Sequence, residues 1–232
     1  GEQHLAVVVL AAGAGTRMKS SKPKVMHEIA GLPLLGHALA TASSLGAAHV
    51  VPVIRHQRDL IANYIQTYFP HALIADQDEI PGTGRAVECA LDVLPEDFTG
   101  AVVVTSGDVP LLDVATLESL IDAHLAGGFS ATILTSIVDD PAGYGRIIRS
   151  NDGKFIQIIE DRDADAEQLS INEVNAGVYV FDAALLRNAL TKIGSHNAQG
   201  EKYLTDAASE LIHEGFKVQA LAVEDNWLVA GI

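Results

Sequence analysis

LAVVVLAAGAGTRMKSSKPK, residues 5–24, begins as an unbroken apolar run and ends as a cationic one. Leu5 to Ala12 has the length of one buried strand. Gly13, Ala14 and Gly15 then break it into a tight loop, and Arg17, Lys19, Lys22 and Lys24 follow with no acidic residue between Glu2 and Glu28. The chain carries a formal net charge of −15 and only 15 Lys and Arg residues, so four cations in one short segment are a concentration with a purpose. A glycine loop lets backbone N–H groups approach an anion closely. Cations beside it offset charge that builds up when a polyphosphate is bound or attacked. The segment therefore reads as a phosphate-handling loop at the carboxyl end of a first strand. Two commoner loops do not fit: the dinucleotide fingerprint needs a third glycine where Met18 stands, and the P-loop sequence is absent.

Working outward, Val- and Ala-rich runs alternate with helical periods, the pattern of a mostly parallel α/β sheet. Helices are expected over 33–46, opened by Pro33 and closed by Gly46, over 57–68, around Ala86 to Leu91, after Asp113 as N-cap, over 182–190 and over 203–213. Strands are expected at His49–Ile54, His71–Ala75, Ala101–Thr105, Ser130–Val138, Val174–Phe181 and Lys217–Val223, with a hairpin over 144–159 turning at Asn151-Asp152-Gly153. The β-branched run Ala101–Thr105 reads as a central strand buried on both faces. Glu160 to Glu173 reads as an acidic, solvated loop. With 232 residues, 48% of them hydrophobic, and neither linker nor repeat, the chain reads as a single domain, 1–232.

Composition narrows the function. Net negative charge argues against nucleic acid and anionic membrane surfaces. No apolar run reaches the length of a membrane span. The lone Cys89 permits no internal disulfide and suits a reducing cytoplasm. The nine histidines lack ligand spacing, and His27-Glu28 meets Gly31 where a zinc pair would need a second His. There is no GxSxG, and Cys89 falls inside an expected helix, so a nucleophilic triad has no support. Asp108 is the outstanding carboxylate. It follows the central strand, where open α/β sheets place ligands, between Gly107 and Pro110. It either caps a turn or holds a hard cation such as Mg²⁺.

Several motifs then agree. LAAGAGTRMKSSKPKVMH resembles the signature of the sugar-phosphate nucleotidyltransferases. PGTGRAV, SGDVPLL, GYGRIIR, IIEDRDA, EVNAGVYVF and NAQGEKYLTD follow in order. Together they resemble the uridylyltransferase half of the bifunctional UDP-N-acetylglucosamine pyrophosphorylase / glucosamine-1-phosphate acetyltransferases, from Leu5 to Ile232. The resemblance implies a Rossmann-like, mostly parallel mixed sheet flanked by helices, of the nucleotide-diphospho-sugar transferase type. It implies transfer of UMP from UTP to N-acetylglucosamine 1-phosphate, giving UDP-N-acetylglucosamine and pyrophosphate for bacterial cell-wall (peptidoglycan) precursors, with Mg²⁺ required. It assigns Leu10, Ala11, Ala12, Gly13 and Gly15 to the nucleotide, Arg17 and Lys24 to the triphosphate and forming bond, and Gln77, Gly82 and Thr83 to the uracil pocket. It assigns Asp108 to the metal, and Ser106, Gly107, Gly145, Glu160 and Asn175 to the amino sugar.

Three positions depart from many relatives: Ser106 where Tyr is frequent, Arg85 where His is frequent, and Lys202 where an aromatic or apolar residue is frequent. The family's second metal ligand, an Asn after Gly-Val or Gly-Ile, would be the residue following Gly231-Ile232. The left-handed β-helix acetyltransferase domain is likewise expected outside this chain. Trimers in the family depend largely on that domain, so a monomer is expected. Other readings are a glucose-1-phosphate uridylyl- or thymidylyltransferase, or a non-catalytic nucleotide-sugar-binding domain. The last should have lost the cations and the carboxylate, and Arg17, Lys24 and Asp108 are all present.

Overall fold

The computed structural model describes residues 4–13, 22–108, 113–194 and 200–223. The opening run forms β1 (Leu5–Leu10), with Val7, Val8 and Val9 wholly buried. Each such valine contributes roughly 1.5–3 kcal/mol by leaving water. β2 (Glu28–Ile29) and β3 (Leu32–Pro33) make a small separate hairpin. The main sheet adds β4 (His49–Ile54), β5 (Ala75–Asp76), β6 (Ala101–Ser106), β7 (Ala131–Ile137), β8 (Arg146–Arg149), β9 (Phe155–Ile159), β10 (Glu173–Asp182) and β11 (Val218–Val223). Its order is β11-β7-β10-β6-β1-β4-β5, with the β8–β9 hairpin joined at β10. β1 lies parallel to both β4 and β6, whereas β10 runs antiparallel to β6 and β7. The sheet is therefore mixed and mostly parallel, of the Rossmann-like type expected.

Alternation along the buried strands sends successive side chains to opposite faces, and each face has its own core. One face packs against α1 (Leu34–Ser44), α2 (Arg58–Tyr68) and α4 (Val114–Ala126) through Leu35, Leu39, Ile61, Ile65, Leu117 and Leu120. The other packs against α3 (Thr83–Val93), α6 (Ala183–Lys192) and α7 (Leu204–His213) through Val87, Leu91, Leu186, Leu190, Leu204 and Leu211. Asp113 caps α4 as expected, accepting from Thr116 N at 2.7 Å. Asp182 caps α6, accepting from Leu185 N at 2.9 Å.

Two expectations need correction. The strand over His71–Ala75 shrinks to Ala75–Asp76, although Leu73 N still donates to Val50 O at 2.9 Å. This segment is at the sheet edge with one neighbour, so little pairing is lost by leaving the ladder. The acidic stretch 160–173 is largely exposed, as expected, but it is not an irregular loop. It contains a 3₁₀ turn, Asp161–Asp163, and a short helix α5 (Ala166–Leu169) opened by a reciprocal Asp165–Gln168 capping box. Its ends are tied down by arginines: Asp161 accepts from Arg146 at 2.8 Å, and Glu173 pairs with Arg149 at 2.7 Å.

Candidate active site

After β1 the chain builds β4 and β5 on one side, then crosses back to place β6 on the other. The carboxyl ends of β1 and β6 thus flank a topological switch point, the crevice in which open α/β sheets bind ligands. Leu10 stands opposite Ser106 in register, and Gly107 N donates to Leu10 O at 2.8 Å. A Cβ on Gly107 would lie 3.2 Å from that carbonyl and 3.3 Å from Leu35 Cδ1. This close approach delivers Asp108 to the exit of β1. Lys24 arrives from a 3₁₀ turn, Lys24–Met26, anchored by Val25 and Met26 packed on the α1 face. Its Nζ lies 3.3 Å from Asp108 Oδ2, with about a third of each side chain exposed. The Ser106 hydroxyl donates to Asp108 Oδ1 in a short bond. One carboxylate oxygen therefore holds a cation and the other a hydroxyl.

The loop between these elements is described only at its start. Ala11 and Ala12 are buried, and Ala11 N donates to Val53 O at 2.8 Å. Gly13 is exposed, with open space where a Cβ would stand. Gly15 and Arg17 lie outside the described residues.

Gln77 follows β5 on the same rim. Its backbone N donates to Ile54 O, and its side-chain amide donates to Ile80 O at 2.9 Å and Gly82 O at 3.1 Å. Both amide hydrogens are committed to the loop, leaving Oε1 with its acceptor capacity. Gly82 has φ +108°, and a Cβ there would meet Lys202 O at 2.3 Å, so glycine is required twice over. The Thr83 hydroxyl accepts from Leu204 N at 3.0 Å, so it caps the first turn of α7. Arg85 forks onto Asp78 and holds that carboxyl below the ordinary carboxylate value.

The remaining residues gather at the start of β10 and the β8–β9 hairpin. Gly145 O accepts from Asn175 N at 2.9 Å. A Cβ on Gly145 would stand 3.6 Å from both Glu160 carboxylate oxygens. Burial pushes the Glu160 carboxyl up from its ordinary value, against the opposing pull of Arg162. Asn175 Nδ2 donates to the Tyr179 hydroxyl at 2.6 Å, while its Oδ1 accepts from Gly177 N at 2.9 Å across a β-bulge. Burial pushes the Tyr179 phenol up to about 12. Sequence reasoning missed Tyr179. The available signal was a tyrosine inside an apolar strand, whose hydroxyl must find a partner, four residues after the only asparagine of that strand. Because β10 runs opposite to β6, pairing Tyr179 with Val104, its amino-terminal half lies at the carboxyl end of β6. Leu10–Gly13, Lys24, Gln77, Asp108 and Asn175 therefore share one rim of the sheet.

A cavity of about 580 Å³ opens at the opposite end, beside Leu5, Ala101 and Asp182. Its charged lining includes Glu118, Asp122 and Asp182, which would repel a polyphosphate, and it contains no glycine loop with a lysine or arginine. The candidate site is the rim, not this cavity. Among the described residues no three His, Cys, Asp or Glu side chains come together as a metal cage. A lone carboxylate nevertheless suits Mg²⁺, which keeps several waters and shares phosphate oxygens with its substrate.

An exposed Gly13 leaving β1, with a lysine and a carboxylate at the switch point of a parallel sheet, suits a nucleotide-handling α/β domain. Residues 7–152 match the family described as the MobA-like NTP transferase domain, and the chain belongs to it. Curated relatives named "Bifunctional protein GlmU" are similar along nearly the whole chain. That of Clavibacter sepedonicus is 61% identical over 98% of this chain and 46% of its own length. That of Leifsonia xyli subsp. xyli is 55% identical over 100% and 48%. The chain spans about half the length of the curated relatives it matches. A crystal structure assigned as a glucose-1-phosphate thymidylyltransferase from Bacillus anthracis superposes with a TM-score of 0.75, covering 95% of this chain and 87% of its own at 19% identity, which shows the fold. Among the described residues no helix is long and apolar enough to cross a membrane.

Proposed function

We propose that this chain transfers UMP from UTP to N-acetylglucosamine 1-phosphate, releasing pyrophosphate and forming UDP-N-acetylglucosamine in the cytoplasm for cell-wall precursor synthesis. The observation that carries the reading is the Lys24–Asp108 contact of 3.3 Å at the β1/β6 switch point, in a chain so similar to the GlmU relatives. A phosphate oxygen of the sugar phosphate forms the new bond to the α-phosphorus. The bond from that phosphorus to the β-phosphate oxygen breaks, and pyrophosphate leaves with the electron pair. The attacking phosphate is already an anion, so no side chain need remove a proton from it. The protein's work is positioning and electrostatic stabilisation.

In this reading the Leu10–Gly15 loop offers backbone donors to the nucleotide phosphates. Lys24 exchanges Asp108 for a phosphate oxygen, and Arg17 joins it on the triphosphate. Asp108, freed from Lys24, is the residue that would hold Mg²⁺, which when bound neutralises phosphate charge. Gln77 reads the uracil edge, with Gly82 and Thr83 shaping its wall. Gly145, where a Cβ would stand 2.9 Å from Ile158 Cγ2, lines the wall beside Glu160, and Glu160 and Asn175 bond the sugar hydroxyls and the acetamido group, with Ser106 and Gly107 forming the adjacent wall. Pyrophosphate release measured across a panel of nucleoside triphosphates and sugar 1-phosphates tests the assignment. The expected outcome is preference for UTP with the acetylated amino sugar; preference for a non-acetylated sugar overturns it.

A further inference from the structure

Two cations from distant elements meet on one carboxylate. Arg85 Nη1 lies 3.1 Å and Lys202 Nζ 2.9 Å from Glu88 Oε1. The other edge of the Arg85 guanidinium forks onto Asp78, whose Oδ1 also accepts from Ile80 N at 3.1 Å. The chain Asp78–Arg85–Glu88–Lys202 thus runs from the loop after β5, across the first turn of α3, to the segment before α7. None of the four side chains is more than a third exposed. Backbone bonds reinforce it: Lys202 N donates to Pro81 O at 3.0 Å and Gly84 N donates to Lys202 O at 2.7 Å. The loop 78–82 is clamped at both ends.

What the clamp holds is a pair of carbonyls. Ile80 O and Gly82 O both receive the Gln77 amide group. Turning that amide over would set its oxygen against two carbonyl oxygens, so one orientation is enforced and Oε1 is an acceptor only. Uracil presents an N3–H donor between two carbonyls, whereas cytosine presents a bare N3 acceptor. An acceptor held against N3 bonds the first and meets a lone pair on the second, which can then pair only through its 4-amino group. A freely turning amide would serve either base.

We infer that Arg85 and Lys202 are positioning residues that enforce uracil over cytosine by locking Gln77, without themselves touching the nucleotide. The inference rests on the uridylyl reading above. Preorganised sites reject a wrong partner because an unpaired buried polar group is left behind. Loss of the lock should therefore reduce discrimination rather than binding in general.

The test is titration of UTP and CTP, in Mg²⁺, against the wild-type chain and the Arg85→Met, Arg85→Lys and Lys202→Met variants, with thermal unfolding of each. The wild type is expected to favour UTP. Arg85→Met and Lys202→Met should shrink the UTP:CTP affinity ratio about five- to tenfold, the worth of one hydrogen bond. Arg85→Lys, which keeps the charge and loses the fork, should fall between. A merely structural role would weaken both nucleotides equally and leave the ratio alone, and an unchanged ratio in folded variants overturns the inference. Should Arg85→Met not fold, Lys202→Met decides, since Glu88 keeps its Arg85 partner. Equal affinity of the wild type for the two nucleotides would overturn the uridylyl reading and this inference with it, whereas wild-type preference with unchanged variants removes the clamp alone.

Discussion

Lys24 Nζ and Asp108 Oδ2 stand 3.3 Å apart, each side chain about a third exposed, joining the loop after β1 to the turn after β6. Pairs this exposed contribute only about 0–1 kcal/mol to stability. Their placement on the ligand rim, not their energy, sets what a substitution should do. Asp108→Asn should leave the unfolding transition within a degree or two of wild type and abolish Mg²⁺-dependent pyrophosphate release. Lys24→Ala should lower turnover about 10²-fold, the typical loss of one transition-state charge partner. Wild-type rates in either variant would remove that residue from the chemistry.

Glu160 should set a pH dependence of stability. Burial raises its carboxyl above the ordinary value of 4.5. The folded state then holds the proton more tightly than the unfolded one, so stability declines as pH rises from about that value through the folded one, and the full cost remains above it. Glu160→Gln removes the cost. The variant should melt higher than wild type at pH 7 and show no such advantage at pH 4, while its KM for N-acetylglucosamine 1-phosphate rises. Melting curves across that range check the sign; an equal shift at both pH values would show that Glu160 titrates normally.

Gly82→Ala should be among the most damaging single substitutions. The new methyl would face Lys202 O at 2.3 Å and Lys202 N at 2.6 Å, and the backbone has φ +108°. Neither backbone atom can yield as a side-chain end would, so a loss of about 3 kcal/mol is expected. By contrast Gly13→Ala meets nothing within 4 Å and should unfold like wild type. Denaturant titration of the two separates crowding at Lys202 from a general intolerance of glycine loss.

Asp161→Ala should loosen the sugar end of the rim. Asp161 accepts from Arg146 Nη1 at 2.8 Å and from Gly143 N at 3.0 Å, bracketing Gly145. Arg146 is almost wholly buried, and its Nε has no hydrogen-bond partner among the described residues. Removing the carboxylate leaves a buried charge less compensated, at a cost of about 1–3 kcal/mol. The KM for the sugar phosphate should rise more than that for UTP, and equal changes in both would contradict a local role.

Whatever depended on near neighbours was legible in the chain itself. The valines of β1 and β6 read as buried strands because a β-branched run that short, closed by a glycine turn, fits a sheet interior better than a helix. Asp113 read as a cap because a cap bonds an amide three residues on. The glycine loop with its cations, and Asp108 after a central strand, carried phosphate chemistry in their residue types. What the tertiary structure alone decided were pairings between segments far apart in sequence. Nothing local announces that Arg85 and Lys202 share Glu88, that Arg146 and Arg149 tie down the acidic stretch after the hairpin, or that the Tyr179 hydroxyl is spent on Asn175. Burial of Glu160 and the distance from Lys24 to Asp108 belong to the same class. They follow from the order in which strands enter the sheet, since hydrogen bonds and desolvation act at contact range while the periodicity of a sequence reports only one element at a time.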